Sequence, residues 1–220
     1  MKKIRKILIT AGPVWVAIDE VRVISNISSG ATGLAIAGDA AKSGIKVTLL
    51  LGPATVACNP SKNIKIIRFK YYDELKALLR KALKNTRYDA VVHAAAVSDY
   101  RPTKTSVGKI RSGKKKLNIT LRPTEKLTRG IRAFAPGAFL VIFKLEPSGS
   151  VRTLLDRSYR ELKNSGADLV VANSLKDVTE TGHIAYLMDR KMSTARVRTN
   201  KELAAALLKK IRAGAAAGNG

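Results

Sequence analysis

Residues 89–97 read Asp-Ala-Val-Val-His-Ala-Ala-Ala-Val, a stretch that is apolar apart from an acid at its start and one histidine. Strands of a parallel sheet are covered on both faces, so they consist of short, nearly continuous apolar runs. Residues 139–143 and 168–172 are runs of the same kind. The sequence therefore predicts a sheet whose central strands are parallel and buried on both sides.

Outward from these runs, strand-like and helix-like segments alternate along the chain. Apolar runs at 4–10, 47–51 and 64–69 predict further strands, and the spacing of apolar residues predicts helices at 31–43, 73–84, 127–134, 151–164 and 203–211. This alternation predicts an α/β fold, a doubly wound Rossmann-like parallel sheet with right-handed crossovers. Residues 184–197 are expected to add a hairpin at the edge of that sheet.

The composition is that of one folded domain. The 220 residues are 45% hydrophobic and 26% charged, which excludes a disordered basic tail. We assign residues 1–212 to a single domain and expect residues 213–220, AGAAAGNG, to form a frayed tail. The one cysteine, Cys58, excludes a disulfide framework, a four-cysteine zinc site and a CxxC redox pair, and it favours a reducing, cytoplasmic setting. No apolar run approaches the ~18 residues of a membrane span, so no membrane partner is expected.

The charge is strongly positive and unevenly distributed. Lys and Arg number 41 against 16 Asp and Glu, a formal net charge of +25, which makes nucleic-acid binding one hypothesis. Residues 101–129 hold ten basic side chains and one acid, Glu125, so +9 of the total lies in one loop-rich stretch. We call residues 100–123 the basic arm and expect it to be mobile, with a strand at 117–121. A small polyanion would suit this arm as well as DNA, and the scattered remainder of the charge is typical of a solvated surface.

The connection after the first strand is unusually long. Residues 10–33 read TAGPVWVAIDEVRVISNISSGATG, whereas a strand-to-helix connection normally takes ~2–6 residues. The connection ends in small residues at 28–33, where bare backbone N–H groups and hydroxyls at a helix start suit a phosphate. An ordinary helix cap explains Ser28 and Ser29 equally well. The pattern GxGxxG is absent, which argues against a conventional dinucleotide-binding module.

Two later segments also carry residues suited to a ligand. Residues 93–102, HAAAVSDYRP, place three alanines at a strand end, where a flat ligand can approach the backbone, and then add Asp99 and Arg101. Packing of a helix on the sheet is the alternative explanation of the alanines. Lys109, within the basic arm, is suited to close over a phosphate as a point charge, and a solvated loop lysine is the alternative.

Together and in this order, these segments resemble one family. The stretches ITAGP and IDEVRVISNISSGATG, then AAAVSDYRP, then Lys109-Ile110, then GADLVVAN at 166–173 resemble phosphopantothenoylcysteine synthetase. That enzyme is the synthetase half of the bifunctional coenzyme A biosynthesis flavoprotein. The resemblance runs from about residue 4 to beyond residue 173 and is to a stand-alone synthetase without flavin.

The resemblance implies an amide-forming ligase that joins 4′-phosphopantothenate to L-cysteine. Bacterial members of the family activate the carboxylate with CTP and Mg²⁺, which gives an acyl-cytidylate and pyrophosphate, and cysteine then displaces CMP. The resemblance further implies a cytoplasmic homodimer without a nucleic-acid partner.

It also implies roles for individual residues. Asn26 and Lys109 correspond to the catalytic residues: Asn26 would bind the acyl oxygen in the second step, and Lys109 would neutralise the reacting phosphates. The implied nucleotide-binding positions are Ser28, Gly30, Gly33, His93, Ala94, Ala95, Asp99, Lys109, Glu125, Lys126, Leu127, Thr128 and Phe143. The implied substrate-binding positions are Asn26, Ala95, Ala96 and Arg101, and no metal ligand is assigned.

The chain departs from the family pattern where the nucleotide is held. Ala31 stands where the glycine loop usually carries a basic residue, and Glu161 and Ser165 stand where a helix usually offers two lysines. Two alternatives therefore stay open beside the CTP-dependent ligase. One is the same ligation using ATP, as in eukaryotic relatives, and the other is a basic Rossmann-like protein that binds nucleic acid.

Overall fold

The apolar runs assemble into one eight-stranded sheet in the computed structural model, which describes residues 3–57, 61–113, 115–178 and 183–217. Cys58 and residues 218–220 of the predicted tail lie outside the described residues. The strands are β1 (Lys6–Ala11), β2 (Trp15–Ala17), β3 (Val23–Ser25), β4 (Lys46–Leu51), β5 (Ile64–Arg68), β6 (Ala90–His93), β7 (Tyr100–Pro102), β8 (Leu121–Pro123), β9 (Phe139–Glu146), β10 (Leu169–Val178), β11 (His183–Asp189) and β12 (Thr194–Val197). The helices are α1 (Ala31–Lys42), α2 (Tyr72–Asn85), α3 (Leu127–Phe134), α4 (Val151–Ser165) and α5 (Asn200–Ala217).

The strand order confirms the predicted doubly wound fold. The sheet runs β5-β4-β1-β6-β9-β10-β11-β12, and the first six of these strands are parallel to one another. The last two are antiparallel and form the predicted edge hairpin. The chain winds outward from β1 in one direction and from β6 in the other, so the switch point lies between these two strands.

Helices cover both faces of the sheet, which is why its central strands are apolar on both sides. α1 and α5 pack on one face, and α2, α3 and α4 pack on the other. Alternate residues of β6 enter the two cores: Val92 packs on the α1 side and Val91 on the α2 side, and both are fully buried. The apolar run that identified this strand thus reflects burial by two helical layers.

Two short hairpins stand apart from the main sheet. β2 pairs with β3 within the long connection that follows β1, and β7 pairs with β8 within the basic arm. The predicted strand at 117–121 is wrong, because only residues 121–123 pair. A period-two pattern forms a strand only beside a partner edge, and β7 offers just three residues of edge.

The helix α5 extends further than predicted. It continues to Ala217, so the expected frayed tail is wrong for residues 213–217. Alanine has the highest helix propensity, which favours continuation through this segment. Gly214 packs so closely on β9 that a Cβ would lie 2.1 Å from the Phe139 ring. The missing side chain therefore lets the last turns of α5 rest on the sheet.

No helix in the described part of the chain is both long enough and apolar enough to cross a bilayer.

Candidate active site

The site begins where β1 and β6 continue side by side beyond their last paired residues. The N–H of Ala94 donates to the Thr10 carbonyl at 3.0 Å, and the N–H of Ala96 donates to the Gly12 carbonyl at 2.9 Å. Residues 94–96 of this extension are half-buried. Ligands of doubly wound sheets bind in the crevice outside the carboxyl ends of the strands at the switch point, and this extension forms the floor of that crevice.

The start of α1 forms one wall of the crevice, and glycines bring it close. A Cβ on Gly33 would lie 2.4 Å from the Ala11 Cβ, so only glycine lets the first turn of α1 sit directly on the end of β1. Gly30 is the N-cap, with a φ of 80°, and no side chain caps the helix from that position. Ser29 Oγ accepts from the Ala31 N–H at 3.3 Å, so Ser29 has a local structural role. Ser28, which is half-buried, makes no such hydrogen bond to the residues that the structure describes.

Asn26 joins the long connection to the end of β6. Its Nδ2 donates to the Val97 carbonyl at 3.0 Å, across 71 residues of sequence, and the side chain is otherwise exposed. Because the Val97 carbonyl can only accept a hydrogen bond, the NH₂ end of the Asn26 amide points toward it. This bond uses one of the two Nδ2 hydrogens. The structure thus links Asn26 to Val97, the residue directly after Ala95 and Ala96.

His93 is held beneath this floor by Thr10. Nδ1 of His93 lies 2.9 Å from Thr10 Oγ1, which also accepts from the Ala95 N–H at 3.2 Å. The Thr10 hydroxyl can then donate its own proton to Nδ1 of His93. This arrangement suits a neutral imidazole that is protonated on Nε2. Burial lowers the pKa of His93 to about 4, so the ring is neutral at pH 7. His93 orders the β1–β6 junction, a role that its position in the sequence did not indicate.

A second wall carries the predicted residues around the start of α3. Lys126 Nζ lies 2.8 Å from Asp99 Oδ1, and the Thr124 N–H donates to the Asp99 carbonyl at 2.8 Å. Burial lowers the pKa of Lys126, but the Asp99 carboxylate more than offsets this, so the pKa is raised and the lysine is charged. Glu125 pairs with Lys76 at 2.5 Å, which together with the Lys76 charge lowers its pKa. The two charged side chains that precede α3 are therefore both paired, Glu125 with Lys76 and Lys126 with Asp99.

The remaining predicted nucleotide positions lie at different depths. Leu127 is buried and Thr128 half-buried at the start of α3, whereas Phe143 is half-buried on β9 and packs toward the α1 side of the sheet. Ser165 is buried, and its hydroxyl donates to the Glu161 carbonyl at 2.7 Å. Ser165 therefore has its hydrogen bonds within α4.

Arg101 lies in a neighbouring cleft. Its Nη1 is 3.3 Å from Asp73 Oδ1, its guanidinium lies 5.5 Å from the centre of the Tyr72 ring, and its buried Nε has no hydrogen-bond partner among the described residues. The cleft has a volume of about 340 Å³ and is also lined by Trp15 and Arg122. Arg101 thus faces a basic, aromatic cleft between β2, the start of α2 and the β7–β8 hairpin.

Lys109 lies on a segment of the basic arm that is bound to the β2–β3 hairpin. The Gly108 N–H donates to Glu20 Oε1 at 3.0 Å, and the Ile110 N–H donates to Asp19 Oδ2 at 3.0 Å. The Lys109 side chain is exposed and has no ion-pair partner within the ranges that the structure describes. The predicted mobility of the arm stays a prediction, but the residues on both sides of Lys109 are anchored.

Within the described ranges, no three His, Cys, Asp or Glu side chains come together as a possible metal site. A Mg²⁺ ion that accompanies a nucleotide takes most of its ligands from phosphate oxygens and water, so such a cage is not required for it.

Three residues that the sequence did not mark as site residues make contacts at this edge of the sheet: Thr10, Asp19 and Arg22. Thr10 reads as an ordinary end of a strand, and nothing in the sequence pairs it with His93. Asp19 and Arg22 do carry a signal, because an acid and a base three residues apart stand within an otherwise mostly apolar loop. Their significance depends on a partner about 90 positions away in the chain.

Comparison with known proteins identifies the family. A model of the family described as the DNA/pantothenate metabolism flavoprotein C-terminal domain matches residues 2–215. The chain therefore belongs to this family, the one in which the synthetase half of the coenzyme A biosynthesis flavoprotein is found.

Particular relatives show how far the likeness extends. The chain is 36% identical over 208 residues to the coenzyme A biosynthesis bifunctional protein CoaBC of Thermococcus kodakarensis, which covers 94% of this chain and 51% of that protein. The chain thus spans about half the length of the curated relatives it matches. The DNA/pantothenate metabolism flavoprotein of Streptococcus pneumoniae superposes with a TM-score of 0.87 at 27% identity, over 95% of this chain and 99% of that one. The C-terminal domain of a CoaBC protein superposes with a TM-score of 0.76 at 27% identity, over 94% and 93%.

Proposed function

We propose that this protein is a phosphopantothenate–cysteine ligase that activates 4′-phosphopantothenate with CTP and then forms the amide with L-cysteine. Membership of the family supports the reaction class. The observation that carries the proposal is the hydrogen bond from Asn26 to the Val97 carbonyl. It draws the phosphate-suited loop at 28–33 and the alanines that follow β6 into one crevice, where a nucleotide and an acyl group would meet.

In the first half-reaction, a carboxylate oxygen of phosphopantothenate attacks the α-phosphorus of CTP. An O–P bond forms, the bond to pyrophosphate breaks, and negative charge builds up on the departing phosphates. The backbone at Gly30 and Gly33 would receive phosphate oxygens at the start of α1. Lys109 would place its ammonium group over them, since cations that are already positioned stabilise charge as it develops. Asp99 and Lys126 would contact the rest of the nucleotide.

In the second half-reaction, the cysteine amine attacks the acyl carbon and the C–O bond to CMP breaks. Negative charge develops on the acyl oxygen as the amine adds. The second Nδ2 hydrogen of Asn26, which Val97 leaves available, would donate to this oxygen. Ala95 and Ala96 leave room for the acyl chain because their side chains are short.

The phosphate of phosphopantothenate would bind in the neighbouring cleft of about 340 Å³. Arg101 and Arg122 supply two positive charges there against the single carboxylate of Asp73, which Arg101 contacts at 3.3 Å. Guanidinium groups bind phosphate in a two-pronged geometry, which suits a terminal phosphate.

A coupled assay tests the proposal. Pyrophosphate should be released only when phosphopantothenate and CTP are both present, and the amide should form only after cysteine is added. A higher kcat/KM with ATP than with CTP would replace CTP in the proposal and leave the ligation unchanged. Absence of pyrophosphate with either nucleotide would overturn the proposal.

Nucleic-acid binding remains the second candidate, and one surface favours it. An open depression of about 500 Å³ on the outer side of α2 is lined by four basic residues, Lys76, Arg80, Lys81 and Lys84, and by one acid, Asp73. A salt titration of RNA and DNA binding distinguishes the candidates, because phosphate-backbone contacts give a steep fall of affinity with salt. A specific nucleic-acid site combined with no ligase activity would favour this second function.

A further inference from the structure

We infer that Asp19 and Arg22 are positioning residues for Lys109: as an ion pair, they hold the backbone of Ile110, and so fix where the lysine of the basic arm stands. This inference rests on the proposed function for the role of Lys109, but the hold on Ile110 is a property of the structure alone. It assigns a task to one part of the long connection, the turn between β2 and β3.

Asp19 and Arg22 contact the backbone of Ile110 at two points, its N–H and its carbonyl oxygen. The Ile110 N–H donates to Asp19 Oδ2 at 3.0 Å, and both Nη atoms of Arg22 lie 3.4 Å from the Ile110 carbonyl oxygen. Arg22 Nη1 in turn bonds to Asp19 Oδ2. The acid and the base thus bind each other and the two polar groups of Ile110, directly after Lys109. Rotation of the Ile110 backbone would break contacts on both of its sides.

Asp19 is well suited to hold this position. Its side chain is 0% exposed, and its second oxygen, Oδ1, accepts from the Val21 and Arg22 N–H groups at 2.8 and 2.7 Å. Burial by itself would raise the pKa of Asp19. The hydrogen bonds from the Ile110, Val21 and Arg22 backbone and from the Arg22 side chain outweigh this effect, so the pKa lies well below its usual range. A buried carboxylate with this many donors keeps one geometry at neutral pH.

Further contacts align the arm with the same hairpin on the other side of Lys109. The Gly108 N–H donates to Glu20 Oε1, and the Ser106 N–H donates to the Ile18 carbonyl, both at 3.0 Å. Residues 106–110 therefore follow residues 18–22 closely. β3 continues from this turn directly to Asn26, so the hairpin mechanically joins the two residues to which the proposed reaction assigns chemistry.

The substitution Asp19→Asn should remove the contact with the Ile110 N–H while it keeps the conformation of the turn. An Asn side chain keeps one oxygen for the Val21 and Arg22 N–H groups, an arrangement that Asn favours in turns. Its NH₂ group would then face the Ile110 N–H and the Arg22 guanidinium, both of which are donors. Arg22→Lys is the second variant, because it keeps the charge and loses the forked geometry at the Ile110 carbonyl. Asp156→Asn is the matched control, since Asp156 is exposed on α4 and undergoes the same change of charge.

The experiment measures hydrogen exchange of individual amides by NMR and pyrophosphate release in the same variants. In Asp19→Asn, the Ile110 amide should exchange about 10-fold faster or more, while the Val21, Arg22 and central-strand amides keep their rates. Pyrophosphate release should fall by up to about 10²-fold, the loss that a misplacement of about 1 Å can cause, with kcat changed more than the KM of either substrate. Arg22→Lys should lie between wild type and Asp19→Asn, and Asp156→Asn should match wild type in both measurements.

The outcomes separate the two parts of the inference. Unchanged exchange at Ile110 in Asp19→Asn would overturn the hold itself. Faster exchange with unchanged pyrophosphate release would overturn the positioning role. If the wild-type protein releases no pyrophosphate, the proposed function fails, and the exchange measurement still decides whether the ion pair holds Ile110.

Discussion

Asn26 has an amide whose orientation is set by a single neighbour, the carbonyl of Val97. One N–H is occupied by that carbonyl, and the other is the one that the proposed reaction assigns to the acyl oxygen. Lys109 is the opposite case: its side chain is exposed, while the backbone on both sides of it is held by Asp19 and Glu20. At the residue scale, the proposed chemistry therefore depends on donors that the fold has oriented and left available.

Asn26→Asp should block the second half-reaction and spare the first. A carboxylate would face the Val97 carbonyl and place negative charge where the oxyanion develops, so cysteine capture should slow by ~10²–10³-fold. Pyrophosphate release should continue, and mass spectrometry should detect an accumulated acyl-nucleotide. Asn63→Asp is the control, because that amide also donates to a backbone carbonyl, that of Ala41, away from the crevice. Loss of pyrophosphate release without any intermediate would refute the role of Asn26.

Lys109→Gln should impair the first half-reaction instead. Removing one positioned cation from the departing phosphates should slow pyrophosphate release by ~10²–10³-fold. Lys104→Gln, an exposed lysine of the same arm, should have little effect. An unchanged rate in Lys109→Gln, measured under single-turnover conditions, would make Lys109 a solvated loop lysine.

His93 should make the protein less stable in mild acid. Burial lowers the pKa of His93 to about 4 in the folded protein, from an ordinary value of 6.5. Between these two pH values the unfolded chain therefore binds more protons than the folded protein does. The free energy of unfolding should therefore fall as the pH drops from 7 to 4.5, by up to roughly 3 kcal/mol from this group. His93→Asn, whose Oδ1 can accept from Thr10, should flatten that dependence in urea unfolding. An equal pH dependence in both proteins would contradict the assignment.

At the scale of elements, the crevice depends on how closely α1 approaches β1. Gly33 lies against Ala11, and a Cβ on Gly52, after β4, would lie 2.2 Å from the Pro13 carbonyl oxygen. The Ala11 Cβ and the Pro13 carbonyl oxygen cannot move away as the far end of a flexible side chain could. The first turn of the helix and the end of the strand are therefore in direct contact at the place where phosphate is proposed to bind.

Gly33→Ala should destabilise the protein by about 1–3 kcal/mol, because α1 must shift away from Ala11 to admit the methyl group. Gly38→Ala on the same helix is the matched control, since a Cβ added at Gly38 would have no atom within 4 Å among the described residues outside its own helix backbone and chain neighbours. That variant should be stabilised by up to about 1 kcal/mol through helix propensity. Urea unfolding of both variants measures the difference, and equal stabilities would contradict the close contact.

At the scale of the whole molecule, the basic arm leaves apolar side chains exposed. Leu117, Ile119 and Leu121 are 48%, 37% and 43% exposed, on a part of the arm where only residues 121–123 pair with another strand. Their alternation gives a segment with one apolar face, and such an unprotected edge is suited to pairing with a second copy.

The protein should therefore be a dimer at assay concentrations, and light scattering measures this directly. Replacing Leu117 and Ile119 together by Ser should shift the mass toward that of one chain, because it removes the apolar face. Substituting Val56 and Met192, which are exposed elsewhere, with Ser should leave the mass unchanged. A wild-type mass near 23.7 kDa would contradict the prediction.

The sequence was informative wherever burial or backbone geometry sets the residue type locally. The run at 90–92 identified a central strand, since a strand covered on both faces has to be apolar. Residues 184–197 were predicted to form the edge hairpin, and they contain most of β11 and all of β12. Two predicted boundaries were wrong: the alternation at 117–121 finds only a three-residue partner edge in the described part of the chain, and residues 213–217 continue α5, where Gly214 fits against Phe139.

What the sequence determined by itself was the alternation of strands and helices, and with it the doubly wound α/β fold class, because periodic burial is encoded residue by residue. The tertiary structure alone decided which distant groups meet: Asn26 with Val97, Thr10 with His93, Lys126 with Asp99, and Asp19 with Ile110. These pairs join segments that lie 27 to 91 positions apart, so no local pattern constrains them. Each depends on the path of loops over the carboxyl edge of the sheet, and hydrogen-bond geometry selects the partners only after the packed elements have brought them within reach.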